Sequence, residues 1–349
     1  MTSAPPPTTP TQEAAMRTEA LDAVALEKLL SAAIAAPSVH NSQPWRFRLR
    51  PETSTLEVHA APERGLPATD PRGRALHISV GAAVFNLRTA ARRLGWAPRV
   101  RLLPDSAEPD LLAAVDLDEP ALVDLPGTAE LYDAIWRRHT VRTPFADTPL
   151  PPVLLDELAR AARTEGALLV LPDRTERDRL LHLTAEAERR NTTDPDRSAE
   201  SRTWVRPRTG PAPYGIPAAA LGPQDTAGRL PMRDFSALHP AEHQQPAAFE
   251  PDPCIAVLTT TGDSPEDWLT AGLALEHVLL LATVHGVRAS LLHQAMEWPY
   301  LRTEARDTHR GPGHVQLLIR LGYGPEGAPT PRLPLAVVVD NPDGEPVGG

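Results

Sequence analysis

The stretch GAAVFNLRTAARRLG, residues 81–95, decides the fold because it occurs twice. Its second copy is GLALEHVLLLATVHG, residues 272–286, which aligns without a gap at an offset of 191 (272 − 81 and 286 − 95). Each copy predicts an apolar helix that ends at a glycine in the left-handed conformation. Two unrelated alanine- and leucine-rich helices also match one another easily, so this pair alone leaves that alternative open.

An earlier pair of segments supports an internal repeat. Residues 26–33 align with residues 155–162 at an offset of 129 (155 − 26). The two offsets differ by 62 (191 − 129), so the second copy carries an insertion between Ala162 and Gly272. Most of this surplus is assigned to residues 204–253, which contain ten prolines. An irregular segment of this length is typical of a lid, a binding loop or a linker, and we expect a lid; residues 204–253 are called the lid segment below.

Composition restricts the class of protein. The 349 residues include 35 basic and 45 acidic ones, a net charge of −10, which argues against nucleic acid or an anionic membrane as the main partner. A single cysteine, Cys254, excludes an internal disulfide and fits a reducing compartment. The N-terminus carries proline and threonine rather than a basic and then apolar leader. We therefore expect a disordered tail at 1–20, a flexible tail at 341–349, and a cytoplasmic protein with no membrane contact.

A loop rich in hydrogen-bonding groups follows the first predicted helix. The run PSVHNSQPW, residues 37–45, comes after leucines at helical spacing, and Pro37 ends that helix because it restricts the preceding residue. Trp45, Phe47 and Leu49 then alternate with arginines as in a half-buried strand. One interpretation is a simple connection in which Ser38 and Asn41 satisfy their own backbone; the other is a loop that holds a polar ring.

The whole run resembles the P-S-x-x-N-x-Q-P-W segment of the FMN-dependent nitroreductase family, in which this loop lies against the flavin. The likeness extends from about residue 21 to residue 339, and the duplicated chain resembles the Acg-like subgroup, where two halves and a lid share one polypeptide. It implies an α+β, nitroreductase-like fold in which two tandem halves form a pseudo-dimer. We assign 21–125 to the first half and 126–340, with the inserted lid, to the second.

Four further positions resemble the family's flavin contacts. Arg138, Thr140 and Arg142 are similar to the R-x-[ST]-x-[RK] motif, which suits phosphate because a guanidinium donates two parallel hydrogen bonds. Without the resemblance, arginines at a helix end are typical of a solvated cap. Arg332 resembles the arginine of a second phosphate motif, although Thr330 replaces the basic residue two places before it.

The segment around Gln294 and Ala295 resembles the loop beneath the flavin nitrogen N5. Many family members have Glu-Gly there, so only a backbone contact carries over, and alanine restricts that backbone more than glycine. The resemblance thus implies a cofactor site whose members come from both halves: Pro37, Ser38, Asn41, Arg138, Thr140, Arg142, Gln294, Ala295 and Arg332. Equivalent motifs are missing at the mirror-image positions, 17–20 and 163–166, which predicts one FMN per chain and a monomer.

The implied chemistry is hydride transfer from NAD(P)H to FMN and then to a small electron-poor acceptor, nitroaromatic or quinone-like. Arg142 is the candidate for stabilising negative charge on the reduced ring, and no side chain is assigned as catalytic. The alternative is an FMN-sequestering or storage protein whose lid excludes nicotinamide.

His239 and His243 have metal-ligand spacing, but no further ligand pattern lies nearby, so no metal is predicted.

Overall fold

The computed structural model describes residues 21–122, 125–206, 213–235, 245–306 and 313–340. The first half contains α1 (Ala23–Ile34), β1 (Trp45–Arg50), β2 (Thr55–Ala60), α2 (Arg74–Arg93), β3 (Arg99–Leu102) and β4 (Leu111–Asp116). Helix α3 (Thr128–Arg137) follows, at the start of the part assigned to the second half. That half continues with α4 (Pro152–Thr164), β5 (Leu168–Val170), α5 (Arg174–Thr193), α6 (Pro195–Trp204), β6 (Val205–Arg206) and β7 (Ile216–Pro217). It ends with β8 (Cys254–Thr260), α7 (Pro265–Val284), β9 (Arg288–Leu292), α8 (Pro299–Glu304), β10 (His314–Gly322) and α9 (Leu335–Val338).

The two halves have the same topology. The first sheet has strand order β1-β2-β4-β3 and the second has β5-β8-β10-β9, and every pairing in both is antiparallel. If β1 is matched to β5, β2 to β8, β3 to β9 and β4 to β10, the two orders are identical. The fold is therefore α+β with an internal duplication, as the repeat predicts. Gly95 and Gly286, at the ends of the two matching stretches, both have positive φ, 95° and 72°.

The matching helices α2 and α7 pack against each other at the centre of the molecule. Both are almost entirely buried, and leucines of α7 complete the apolar core of the first half. A capping box of Ser264 and Asp267 starts α7, and the Asp22 carboxylate accepts from the backbone of Ala25 at the start of α1. Among the described residues α7 is the one helix long and apolar enough to cross a membrane, but 72% of its apolar window is buried inside the protein, as in a core helix.

The insertion in the second half is longer than the net surplus of 62 indicates. Residues 171–253 connect β5 to β8, whereas only residues 51–54 connect β1 to β2. The difference is partly hidden because the first half has longer loops elsewhere: 35–44 against 165–167, and 61–73 against 261–264. The insertion thus begins before the lid segment and includes α5 and α6.

The C-terminal segment returns to the first half. Val339 forms a parallel bridge with Phe47 on the outer side of β1, and the Asp340 backbone donates to the Phe47 carbonyl at 2.9 Å. This return brings Arg332 to the end of α1, so residues from the two ends of the chain meet at one place.

Candidate functional site

The 37–45 loop has an unusual backbone conformation. His40, Asn41 and Gln43 all have positive φ, between 50° and 55°, which is uncommon for residues other than glycine. Ser38 Oγ accepts from the Gln43 backbone at 3.0 Å, so Ser38 does satisfy its own loop, as the simpler interpretation predicts. The Val39 backbone donates to Ser79 Oγ on α2 at 3.1 Å. Several non-glycine residues held in this region are typical of a functional loop.

Asn41 and Gln43 fasten this loop to the lid segment and to the C-terminal return. Asn41 Nδ2 donates to the carbonyls of Gly215 and Pro331, each at 2.9 Å. Gln43 Nε2 donates to the Pro213 carbonyl at 2.9 Å, and its Oε1 accepts from the Leu333 backbone at 2.8 Å. Both amides are buried by these contacts.

A cavity lies where the two halves meet. It is lined from the first half by the 37–40 segment and α2, and from the second by α7, β9 and the turn that follows β9. Five of the nine residues assigned from sequence line it: Pro37, Ser38, Thr140, Arg142 and Gln294. Four do not: Asn41, Arg138, Ala295 and Arg332. Ala295 is fully buried in the turn next to Gln294.

Arg332 and Arg138 lie together at the C-terminal end of α1. Arg332 donates to the carbonyls of Ile34, Ala35 and Ala36 at 2.7, 2.9 and 3.1 Å. Arg138 Nη2 donates to the Ala35 carbonyl at 3.3 Å. A cation at this end of a helix is favourable because the last carbonyls carry partial negative charge. Burial and the neighbouring Arg138 lower the pKa of Arg332 to about 9.

Glu276 is a member of this arginine group that sequence reasoning missed. Its Oε1 lies 3.5 Å from Arg138 Nε, and the side chain is fully buried. Burial raises the pKa of Glu276 to about 7, against the attraction of Arg138. A second, much smaller cavity is lined by Arg138 and Thr140 among others, and it shares Thr140 with the main cavity. The sequence signal for Glu276 is only that it and His277 interrupt an apolar stretch of α7, and no flavin motif includes it.

Arg142 is half-buried at the edge of the main cavity. Its Nη1 donates to the Ala220 carbonyl in the lid segment at 2.8 Å, and burial together with the nearby Arg233 lowers the pKa of Arg142 to about 10. Gln294 Nε2 likewise donates to a lid carbonyl, that of Pro231, at 2.9 Å. Three residues assigned to the flavin, Asn41, Arg142 and Gln294, therefore hydrogen-bond the lid backbone.

Several polar residues that no motif identified also line the cavity: His40, Ser79, Arg233, His293 and Glu297. His40 lies inside the quoted loop, so its position could have been inferred. Burial, and then Arg233, holds the pKa of His40 well below its usual value; burial, and then Arg74, does the same for His293. Both imidazoles are neutral at pH 7.

The lid segment divides into two kinds of residues. Arg233 and Phe235 line the cavity. Glu250, in contrast, is part of the second half's core. There it forms a bidentate ion pair with the fully buried Arg320, in which Nη2 lies 2.6 Å from Oε2.

Residues 207–212 and 236–244 of this segment lie outside the described residues, and so do His239 and His243. The described residues contain no group of three or more His, Cys, Asp and Glu side chains that could hold a metal.

This duplicated fold, with a cavity formed jointly by both halves, belongs to the nitroreductase family. The sequence relationship is to "Putative NAD(P)H nitroreductase Rv3131" of Mycobacterium tuberculosis H37Rv, with 32% identity over 335 residues that cover 95% of each chain. The chain is also 28% identical to "Putative NAD(P)H nitroreductase acg" of the same organism, over 89% of this chain and 93% of that one. The resemblance seen in the motifs is thereby confirmed.

No family model matches the chain. Among solved structures, the chain is similar to a nitroreductase with bound FMN from Desulfitobacterium hafniense. The two are 16% identical, with a TM-score of 0.37, and the match covers 59% of this chain and 94% of that one.

Proposed function

We propose that this protein is an FMN-dependent NAD(P)H oxidoreductase that reduces an electron-poor small molecule, nitroaromatic or quinone-like. The observation that carries the proposal is the cavity between the halves, with Arg142 and Gln294 on one side and the 37–40 segment on the other. The similarity to Rv3131 and Acg, each named "Putative NAD(P)H nitroreductase", supports it.

The residues present fit a flavin mononucleotide. The cavity between the halves is lined by both apolar and polar side chains, as cofactor pockets are. Arg142 and Gln294 offer N–H donors at its wall, and the ring edge of a flavin is rich in acceptors. Arg138, beside the adjoining cavity, has a buried Nε that makes no hydrogen bond among the described residues. That guanidinium suits a phosphate.

When bound, the flavin supplies hydride acceptance from a nicotinamide and electron donation to the acceptor. Arg142 would place a positive charge beside the ring, where it would stabilise negative charge that the flavin gains on reduction. Ile78 and Leu275 supply apolar surface in the cavity wall and exclude water. Neutral His40 and His293 add hydrogen-bonding groups without further charge.

Sequestration of FMN is the second candidate, and one observation favours it. Four side chains, the buried Asn41, Gln43 and Gln294 and the half-buried Arg142, each donate to a main-chain carbonyl of the lid segment at 2.8 or 2.9 Å. A lid held by four such bonds opens at a cost, since each contributes about 0.5–1.5 kcal/mol. A slow lid would retain flavin and restrict access of nicotinamide.

The test begins with the purified protein. We expect it to be yellow and to release FMN, rather than FAD, on denaturation. A colourless protein that cannot be reconstituted with FMN would refute the cofactor assignment. Anaerobic mixing with NADPH should bleach the flavin absorbance, and a quinone should restore it. A protein that binds FMN but stays oxidised favours sequestration instead.

We also propose one FMN per chain and a monomeric protein, because the flavin motifs of the two halves make a single complete set. Light scattering combined with flavin quantification measures both quantities. Two flavins per chain, or an obligate dimer that loses flavin on dissociation, would contradict this stoichiometry.

A further inference from the structure

Glu276 carries its carboxyl group on α7, inside the core where the two halves meet. The side chain is fully buried, and neither carboxylate oxygen accepts a hydrogen bond from the described residues. An ionised carboxylate in such surroundings is costly unless an opposite charge lies close to it. The protonation state of Glu276 therefore depends on the few charged groups around it.

Two guanidiniums act on this carboxyl group. Arg138 Nε lies 3.5 Å from Glu276 Oε1, and Arg332 of the C-terminal segment is the next positive charge. From α2 the group is faced by the neutral Asn86, whose Nδ2 donates to the Ala32 carbonyl at 3.1 Å. Burial is the largest influence and raises the pKa of Glu276 to about 7, against the attraction of Arg138. The carboxyl group thus titrates near neutral pH in the protein alone.

The charged groups farther from Glu276 are paired or neutral. Burial, and then Arg138 and Arg332, lower the pKa of His139, so this imidazole is neutral at pH 7. Other charged side chains on the elements around α7 form pairs of their own: Arg288 with Glu326, Glu157 with His285, and Glu165 with both Arg88 and His277. Arg138 and Arg332 are therefore the charges that decide the state of Glu276.

Arg138 also faces the smaller cavity. It lines that cavity together with Thr140, which belongs to the main cavity as well. Its guanidinium makes one hydrogen bond within the described residues, from Nη2 to the Ala35 carbonyl at 3.3 Å. The other N–H groups suit a phosphate, which carries about −1.5 to −2 charges at pH 7. A bound phosphate and the Glu276 carboxylate would then compete for one guanidinium.

We propose that Glu276 takes up a proton from solvent when the phosphate of FMN binds Arg138, so that this carboxyl group makes cofactor binding depend on pH. The inference rests on the proposed function, because it concerns the same flavin. With Glu276 ionised, two guanidiniums, one carboxylate and a phosphate dianion sum to −1 (2 − 1 − 2); with Glu276 protonated, they sum to zero (2 − 2). Glu276 is thus a positioning residue that acts through Arg138, which it leaves free for the phosphate once it is neutral.

The coupling fixes the direction of the pH dependence. Because phosphate binding favours protonated Glu276, FMN affinity should fall once the pH exceeds about 7, the pKa of Glu276 in the protein alone. We expect the dissociation constant to rise about fivefold between pH 7 and pH 8.5. The phosphate itself does not titrate in this range, since its second pKa is about 6. His139 does not either, because its pKa lies below its ordinary value of 6.5.

The first test counts protons in the wild-type protein, so it does not depend on the folding of any variant. Flavin-free protein is titrated with FMN at pH 7.5 by calorimetry in two buffers of different ionisation enthalpy. We expect roughly half a proton or more to be taken up per FMN. Riboflavin has the same ring without the phosphate and should bind with no uptake. FMN binding without proton uptake would overturn the proposal.

A charge-neutral variant then identifies the group. Glu276→Gln should bind FMN with the same affinity from pH 7 to pH 8.5, and at pH 8.5 about fivefold more tightly than the wild type. Glu266→Gln is the matched control, since Glu266 is an exposed glutamate in the first turn of the same helix, and it should keep the wild-type dependence.

Two results with Glu276→Gln would contradict the coupling. A carboxylate with a purely structural role predicts weaker FMN binding at every pH. Arg332, whose pKa is about 9, also titrates near this range and remains in the variant, so a pH dependence that persists belongs to another group such as Arg332.

The same titrations separate this inference from the proposed function. FMN binding without proton uptake refutes the coupling and leaves the oxidoreductase standing. Protein that binds no FMN refutes the oxidoreductase, and inorganic phosphate is then the probe: its binding should take up protons in the wild type and not in Glu276→Gln. Absence of phosphate binding, or phosphate binding without uptake, would refute the coupling as well.

Discussion

Gly81 and Gly272, which are equivalent positions of the internal repeat, contact each other where α2 crosses α7. A Cβ atom placed on Gly272 would lie 2.8 Å from the Gly81 Cα and 2.1 Å from the Ile78 carbonyl oxygen. A Cβ on Gly81 would lie 2.2 Å from the carbonyl oxygen of Leu269, which is the counterpart of Ile78 (269 − 78 = 191). Each copy therefore makes the same contact with the other, as in the isologous interface of a two-fold dimer.

This reciprocal contact predicts a large loss of stability for either Gly81→Ala or Gly272→Ala. The added methyl meets backbone atoms that cannot rotate away, so each variant should lose about 3 kcal/mol or more of unfolding free energy. Chemical denaturation measures it. The double variant should lose less than the sum of the single ones, because both methyls enter one contact and the first displacement of the helices makes room for the second.

Gly228→Ala is the control for this prediction. Gly228 has φ of 63° but no atom within 4 Å of a built Cβ, so this variant reports backbone strain alone. It should cost about 1 kcal/mol. A Gly81→Ala variant no less stable than Gly228→Ala would refute the close packing of the two helices.

Away from the glycines, equivalent positions of α2 and α7 still face each other, but their side chains differ in chemical type. Phe85 stacks on His277 with ring centroids 4.8 Å apart, whereas the equivalent positions of the other copy carry the polar Asn86 and Glu276. His277 in turn lies 3.0 Å from Glu165, which also accepts from Arg88 at 2.7 Å. Arg88 belongs to the first half and Glu165 to the second. An ion pair therefore ties the halves together beside the apolar core.

The Glu165 group predicts a pH dependence of stability. Burial acts to raise the pKa of Glu165, but the hydrogen bonds from His277 and Arg88 outweigh it and hold that pKa well below 4.5. Because the folded-state pKa is depressed, the stabilisation is present above pH 4.5 and is lost as the pH falls below that value. Glu165→Gln should lose roughly 1.5–3 kcal/mol at pH 7 and show a shallower acid decline in denaturant titrations.

Glu157→Gln is the matched control, because Glu157 lies on α4, which Glu165 directly follows, and pairs with His285 at a far more exposed position. Its unfolding free energy should stay within about 0.5 kcal/mol of the wild type. If Glu165→Gln keeps the wild-type acid profile, Glu165 is not the group responsible.

The sequence allowed the duplicated topology to be predicted, because repeat spacing and apolar periodicity are local properties of α2 and α7. The insertion was underestimated, since an alignment offset records only the sum of insertions and deletions. The partners of Arg332 and Asn41 could not be predicted at all. Arg332 reaches the Ile34 carbonyl 298 positions away, and Asn41 reaches Gly215 in an irregular segment without a motif. Arg233 lies in the same irregular segment, so no sequence motif marked it as a cavity residue.

Arg138→Ala should weaken FMN binding by roughly 1.5–3 kcal/mol, the usual contribution of a charge-assisted hydrogen bond. Fluorescence titration of flavin-free protein measures this. Riboflavin, which lacks the phosphate, separates ligand contact from structural support, because Arg138 also donates to the Ala35 carbonyl. We expect riboflavin affinity to change little, and the neighbouring exposed Arg137→Ala to bind FMN normally. Equal losses for FMN and riboflavin would assign Arg138 to the fold alone.

The lid segment should cover the flavin, and the structure defines how to remove it. Glu250 must stay, because without it the buried Arg320 would lose its carboxylate. We therefore expect replacement of residues 207–244 by a short Gly/Ser linker to give a folded protein. It should retain FMN, because Arg138 and Arg332 lie outside the segment, and should be reduced faster by NADPH because access no longer requires opening.

Anaerobic stopped-flow absorbance of the flavin measures this rate. The matched control replaces only residues 226–229, an exposed turn of the same segment, and should react like the wild type. The comparison also separates the two candidate functions, since an oxidoreductase turns over with its lid intact whereas a storage protein reacts only after the deletion. Unchanged reduction kinetics with flavin retained would mean that the segment covers nothing relevant to nicotinamide.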